Sequence, residues 1–184
     1  MADREDQALL ARAREGDVDA FAEFVLRNEH RVRAVLRRLL NDDRDVEEAT
    51  QDSFVQAWRN LDRFRGDAAA FTWLYRIAVN EALARLRRKR VPTKSIDDTA
   101  EPVQPAASTL DVAESSELET FLAERIRALE PEYRAPLVLR DVIGLTNQEV
   151  ADILELSLPA AKSRIHRARM RIREDLARWE GGSR

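Results

Sequence analysis

TNQEVADILELSLPAAKSRIHRARMRIR, residues 146–173, reads as a short helix, a tight turn and a second helix rich in arginine. Thr146 and Glu149 have the T-x-x-E spacing of a capping box, in which side chain and backbone at a helix start satisfy each other's orphan groups. Val150, Ala151 and Leu154 give the first helix one apolar side. Ser157 is placed to cap the second helix, and Pro159 sits in its first turn, where a missing N–H costs nothing. This is the pattern of a helix-turn-helix, which places its second helix in the DNA major groove.

The second helix separates two faces. At 100° per residue, Ala161, Ile165, Ala168, Ile172 and Leu176 form a buried stripe. Pro159, Ser163, His166, Arg167 and Met170 point the other way, flanked by Lys162, Arg164, Arg169 and Arg171. Cations at the flanks suit phosphates, whereas Ser163 and Arg167 suit base edges. The alternative is an arginine-rich surface helix with no partner.

Working outward, residues 91–115 carry Pro92, Pro102 and Pro105, many small polar residues and little apolar periodicity. They read as a flexible, acidic linker. It divides the chain into an N-terminal module, 1–90, and a C-terminal module, 116–184. The expected fold is all-α: two small helical domains, the second holding the helix-turn-helix.

In the first module, apolar residues from Val18 to Leu39 keep a helical period between about Asp17 and Leu40. Val46, Ala49, Phe54, Ala57, Trp58 and Leu61 mark a second helix. The loop DRFRGD, 62–67, follows, with Gly66 supplying backbone freedom, and a third helix spans about 68–89. On that third helix, Phe71, Leu74, Tyr75, Ala78, Ala82 and Leu86 form the core face, while Trp73, Arg76, Asn80 and Arg87 lie opposite. An aromatic, an amide and arginines in one stripe suit single-stranded nucleic acid, with bases stacking on the ring and phosphates pairing with guanidinia. Arg63, Phe64 and Arg65 of the loop extend that stripe. Equally open is a Trp73 that caps the core edge beside solvated arginines.

The helix 45–61 is acidic at its start. Glu47, Glu48, Gln51, Asp52 and the edge of Phe54 offer a surface for a basic partner helix, although helix-dipole complementarity explains Glu47 and Glu48 as well. In the second module, residues 118–129 read as a helix, and Pro131 opens another that runs to about Val142 and ends at Gly144.

Composition narrows the function classes. Of 184 residues, 44% are hydrophobic and 35% charged, which suits packed cores under long solvated helices. There is no cysteine, so disulfides and thiolate zinc sites are excluded, and with only His30 and His166 no metal site is expected. No Gly-rich phosphate loop or nucleophile–histidine pairing is present, so neither an enzyme nor a cofactor is expected. No apolar run reaches the length of a membrane span, and the charged N-terminus is no signal peptide; a cytoplasmic protein without membrane insertion is expected. The net charge of −3 hides a segregation: residues 95–119 hold acids and no Lys or Arg, while 85–90 and 162–173 are strongly basic. Local patches set nucleic-acid contact, so the net value does not exclude it.

Taken together these stretches resemble the extracytoplasmic-function sigma factors, the small two-domain members of the sigma-70 family of bacterial RNA polymerase specificity subunits. The resemblance covers nearly the whole chain: ALLARAREGDVDAFAEF (8–24), EATQDSFVQAWRNL (48–61), RFRGDAAAFTWLYRIAVNEALARLRRKR (63–90) and residues 129–176 occur in the family's order. It implies that Glu48, Gln51, Asp52, Phe54 and Trp58 serve the surface that grips core RNA polymerase. It implies that Arg63, Phe64, Arg65 and Gly66 form the loop capturing a flipped −10 base. Trp73, Arg76, Asn80, Arg85, Arg87 and Arg88 would then line the −10 strand and upstream duplex. Lys162, Ser163, Arg164, Arg167 and Arg169 would contact the −35 duplex. An anti-sigma factor is a further partner implied by the family. The chain departs from the pattern at Glu155, where the turn often carries Gly, at Pro159-Ala160-Ala161, where a Gly-Thr-Val run is common, and at Ala84, often Asp. The competing expectations are a helix-turn-helix regulator that acts without core polymerase, and a helical adaptor with no DNA role.

Overall fold

The computed structural model of the chain describes residues 2–64, 66, 69–90 and 117–182. Eight α-helices account for most of them, and no strand occurs among the described residues. The linker read at 91–115 and the loop residue Arg65 lie outside the described residues.

The first group comprises α1 (Ala2–Arg14), α2 (Val18–Leu39), α3 (Asp43–Arg59) and α4 (Ala70–Arg90), with a single 3-10 turn at Leu61–Arg63. Their starts follow from local chemistry. The Asp17 side chain accepts the Ala20 N–H at 3.0 Å and begins α2, and Asp42 accepts the Arg44 N–H at 2.8 Å and begins α3. The periodic stretch expected from Asp17 to Leu40 is α2 with those two residues as its caps. Leu10, Phe24, Val32, Val35, Leu36, Leu39, Leu74 and Val79 are fully buried where α1, α2 and α4 meet. Buried hydroxyls on α3 are satisfied locally: Thr50 donates to Val46 O at 2.7 Å and Ser53 to Ala49 O at 2.5 Å.

The second group comprises α5 (Glu117–Ala128), α6 (Pro131–Leu137), α7 (Asn147–Leu154) and α8 (Leu158–Gly182). The helix expected from Pro131 to Val142 is α6 followed by a wider π turn over Val138–Val142, in which Ile143 N–H reaches back five residues to Val138 O at 3.0 Å. Gly144, at φ +85, then reverses the chain into the Thr146 cap. Stacking of Phe121 on Trp179, 5.2 Å between centroids, fastens α5 to α8.

The two groups pack on one another, α4 against α7 and α2 against α5 and α6. One cluster of buried apolar residues runs from Phe24 and Leu36 through to Leu139, Val150 and Ile153. Arg134 of α6 crosses this boundary. It donates to Leu129 O on its own side and to Leu39 O (2.6 Å) and Asn41 Oδ1 (3.1 Å) at the end of α2. Burial pushes its pKa down to about 10, which leaves it charged at neutral pH.

Candidate nucleic-acid interface

The loop between α3 and α4 is clasped by α1. Arg14 donates to Phe64 O at 3.1 Å, and Asp3 accepts the Ala70 N–H at 2.9 Å, capping α4 from another helix. Phe64 is buried, and its ring lies 5.1 Å from that of Trp73 at a tilt of 49°. Trp73 is half-buried, so it both closes the core edge and borders an open groove. Arg63, Arg76, Asn80 and Arg87 line that groove from the first group, and Leu154 and Glu155 from the second. Arg63, Gly66, Asn80 and Arg87 are exposed. Arg76 Nε is buried with no hydrogen-bond partner among the described residues, leaving a donor to be satisfied. An indole, backed by the buried Phe64 ring, and several cationic donors around one groove can stack bases and bind phosphates.

The core face read on 68–89 is buried at Leu74, Tyr75, Ala78 and Ala82, with Phe71 and Leu86 half-buried at its edges. Arg85 and Arg88 turn away from the groove, toward α3. Arg85 Nη1 lies 3.0 Å from Glu48 Oε2, its Nη2 pairs with Asp52, and its Nε lies 2.9 Å from Glu81 Oε1. Arg88 joins Glu81 at 3.2 Å, and Lys89 pairs with Asp45.

On α3, Glu48, Gln51 and Asp52 are exposed while Phe54 is buried, so Phe54 supports this face rather than presenting it. Trp58 is 41% exposed and meets Phe21 edge-on at 4.9 Å. Hydrogen bonds from Arg85 and Arg44 hold the Glu48 carboxyl below its ordinary range, which keeps it anionic. Val55 is also exposed here, an apolar neighbour that the sequence reading passed over.

At the C-terminal stretch, both halves of the capping box are present. Glu149 N–H donates to Thr146 Oγ1 at 3.2 Å, and Thr146 N–H to Glu149 Oε2 at 2.7 Å. Glu155 takes φ +54, and Leu156 N–H closes the turn on Ala151 O at 2.9 Å. Ser157 Oγ accepts the Ala160 N–H at 3.3 Å at the start of α8. Ala161, Ile165 and Ala168 are buried, whereas Lys162, Ser163, His166 and Arg167 are exposed. Arg164 is half-buried and shares a second groove with Leu83, Leu86 and Arg87 of α4. Arg169 grips Asp141, Nε to Oδ2 at 2.8 Å, and that bond raises its pKa. Arg171 pairs with Glu130 and lies 4.3 Å from the centre of the Tyr133 ring.

Besides the exposed Val55, the clasp by Asp3 and Arg14, the inward turn of Arg85 and the full burial of Ile153 are features that sequence reasoning missed. Each depends on a partner far along the chain. Among the described residues no cluster of three or more His, Cys, Asp or Glu is arranged to hold a metal, and no helix is long and apolar enough to cross a membrane.

Comparison with known proteins adds the family. Sigma-70 region 2 matches residues 24–91, and Sigma-70 region 4 matches residues 122–172. The ECF RNA polymerase sigma-E factor of Salmonella typhimurium is 36% identical over 176 residues, 91% of this chain and 92% of that protein. Among solved structures, CnrH in complex with the cytosolic domain of CnrY superposes with a TM-score of 0.66 at 28% identity, covering 94% of this chain and 97% of that one. The sigma factor RpoE of Bartonella quintana, solved with the anti-sigma factor NepR, has the same fold, with a TM-score of 0.67 at 24% identity over 87% of this chain and 98% of that one.

Proposed function

The chain belongs to the sigma-70 family, as an extracytoplasmic-function RNA polymerase sigma factor, and from that premise we propose that it binds core polymerase, reads −35 and −10 elements and helps open the −10 region. It does so in the cytoplasm, as a specificity subunit with no catalysis of its own. The observation that carries this reading is the groove bordered by Trp73, Arg76, Asn80 and Arg87, with the Phe64 ring behind the indole.

In this reading Arg63, Phe64, Arg65 and Gly66 receive a flipped −10 base. Trp73, Arg76, Asn80 and Arg87 track the strand beside it, and the exposed Arg88 meets the upstream duplex. Flipping costs a few kcal/mol, and contacts elsewhere must offset that. They come from α7 and α8 acting as a helix-turn-helix, with Lys162, Arg164 and Arg169 on phosphates and Ser163 and Arg167 on −35 base edges. Arg169 must first exchange Asp141 for phosphate. The remainder comes from core polymerase, gripped by Glu48, Gln51, Asp52 and Trp58, with Phe54 beneath them. Residues 1–90 and 116–184 then act as two DNA-reading domains joined by 91–115. An anti-sigma factor is a further proposed partner; CnrH, at 28% identity, is likewise solved with a protein partner, the cytosolic domain of CnrY.

Trp73→Ala tests the groove. Loss of one stacking platform is expected to lower the open-complex fraction by about tenfold. Core binding should change little, because none of Glu48, Gln51, Asp52 or Trp58 lines the groove that Trp73 borders. Permanganate reactivity of unpaired −10 thymines and a core-binding titration measure the two effects. Equal loss of both would make Trp73 a core residue only and remove the groove from the mechanism.

A further inference from the structure

We propose that Arg85 is a positioning residue for the polymerase-binding surface and carries no DNA contact. The basic run that follows it, Arg87 to Arg90, groups it with the DNA-reading arginines in sequence, but its surroundings are anionic. Its side chain is 13% exposed, and its three kinds of donor nitrogen are each committed to a carboxylate: Nη1 to Glu48, Nη2 to Asp52 and Nε to Glu81. A phosphate approaching that guanidinium would meet three carboxylates first. Arg87, two residues on, is exposed and borders the groove instead.

The ion pairs have a mechanical consequence. Glu81 is itself nearly enclosed, 11% exposed, and lies one turn before Arg85, so it fixes the guanidinium to α4. Glu48 and Asp52 are one turn apart on α3 and would repel each other as like charges at i,i+4. Arg85 bridges them and sets their spacing while leaving each about half exposed. An arginine fork suits this bridge because its rigid plane offers five N–H groups, whereas a lysine ammonium is a single point charge that cannot span three acceptors. The helix proposed to grip polymerase is thereby braced on the helix proposed to read DNA.

This inference rests on the sigma-factor reading, and the experiment separates the two. Full-length protein, Arg85→Met and Arg85→Lys are titrated against core polymerase. Each assembled holoenzyme is then titrated against a −10 single strand at several salt concentrations. Met keeps the apolar stem, and melting curves set a temperature at which every variant is folded. Core affinity is expected to fall by about tenfold in Arg85→Met and to recover partly in Arg85→Lys. Asp52→Asn should shrink the effect of Arg85→Met, because the two act as a unit. Strand affinity and its salt dependence should stay unchanged. Unchanged core affinity, or a salt slope reduced by about 0.7, the value of one lost phosphate contact on a single strand, would overturn the proposal. If the unaltered protein does not bind core at all, the sigma-factor reading falls and this inference with it.

Discussion

Glu155 is a single residue with a measurable strain. It occupies the left-handed region at φ +54, the one non-glycine residue among those described with a positive φ. A side chain there costs about 1 kcal/mol or more. Glycine would relieve that cost but gain freedom in the unfolded chain, which returns part of the benefit. Glu155→Gly is therefore expected to raise stability by roughly 0.5 kcal/mol, read as a higher urea midpoint at unchanged slope. A lower midpoint would mean that the Glu155 side chain, which borders the groove between α4 and α7, makes contacts worth more than the strain. The sequence already marked this position as unusual. The backbone angle adds why: the chain must reverse between α7 and α8, and Leu156 N–H can reach Ala151 O only through a left-handed residue.

At the level of elements, the helix ends are where charge and stability meet. Asp17 caps α2, and the Ala20 N–H together with Arg12 holds its carboxyl below the ordinary value of 3.8. A depressed carboxyl contributes fully above its unfolded pKa, and the contribution disappears as pH falls through the folded value. The thermal midpoint should therefore hold steady near neutrality and fall below about pH 4. Asp17→Asn keeps a capping oxygen but does not titrate, so part of that acid loss should vanish. An identical acid slope in both proteins would show that the cap contributes nothing to it. The caps at Thr146, Glu149 and Ser157 were legible in advance because capping is local, each acting within three residues of itself. The stripes on α4 and α8 were legible for the same reason, since a period fixes which side chains share a face. It does not fix what that face meets. Arg85 and Arg87 lie close in sequence on one basic run, yet one is enclosed by acids from α3 and the other borders the groove. The clasp of α1 on the 64–70 loop was hidden likewise, because Asp3 and Ala70 are 67 residues apart.

For the whole molecule, segregated charge matters more than the net −3. Arg76 and Arg87 of α4 face the groove and cations run along α8, while the acids of α3 meet Arg85 and Lys89 on the other side of α4. The helical class was legible from composition and period alone. The packing of the two groups was not, because it joins distant stretches: an apolar cluster drawn from both, and Arg134 reaching the Leu39 carbonyl of α2 from 95 residues away. That packing also brings Arg164 of α8 beside Arg87 of α4, in one groove. If these surfaces serve polymerase and promoter together, reconstituted transcription will show it. Purified protein is mixed with core RNA polymerase and a library of promoter fragments, and transcript starts are mapped. A stable complex with core and starts that share two fixed upstream elements are expected. Failure to bind core, with tight binding of the protein alone to palindromic duplex, would contradict that joint role.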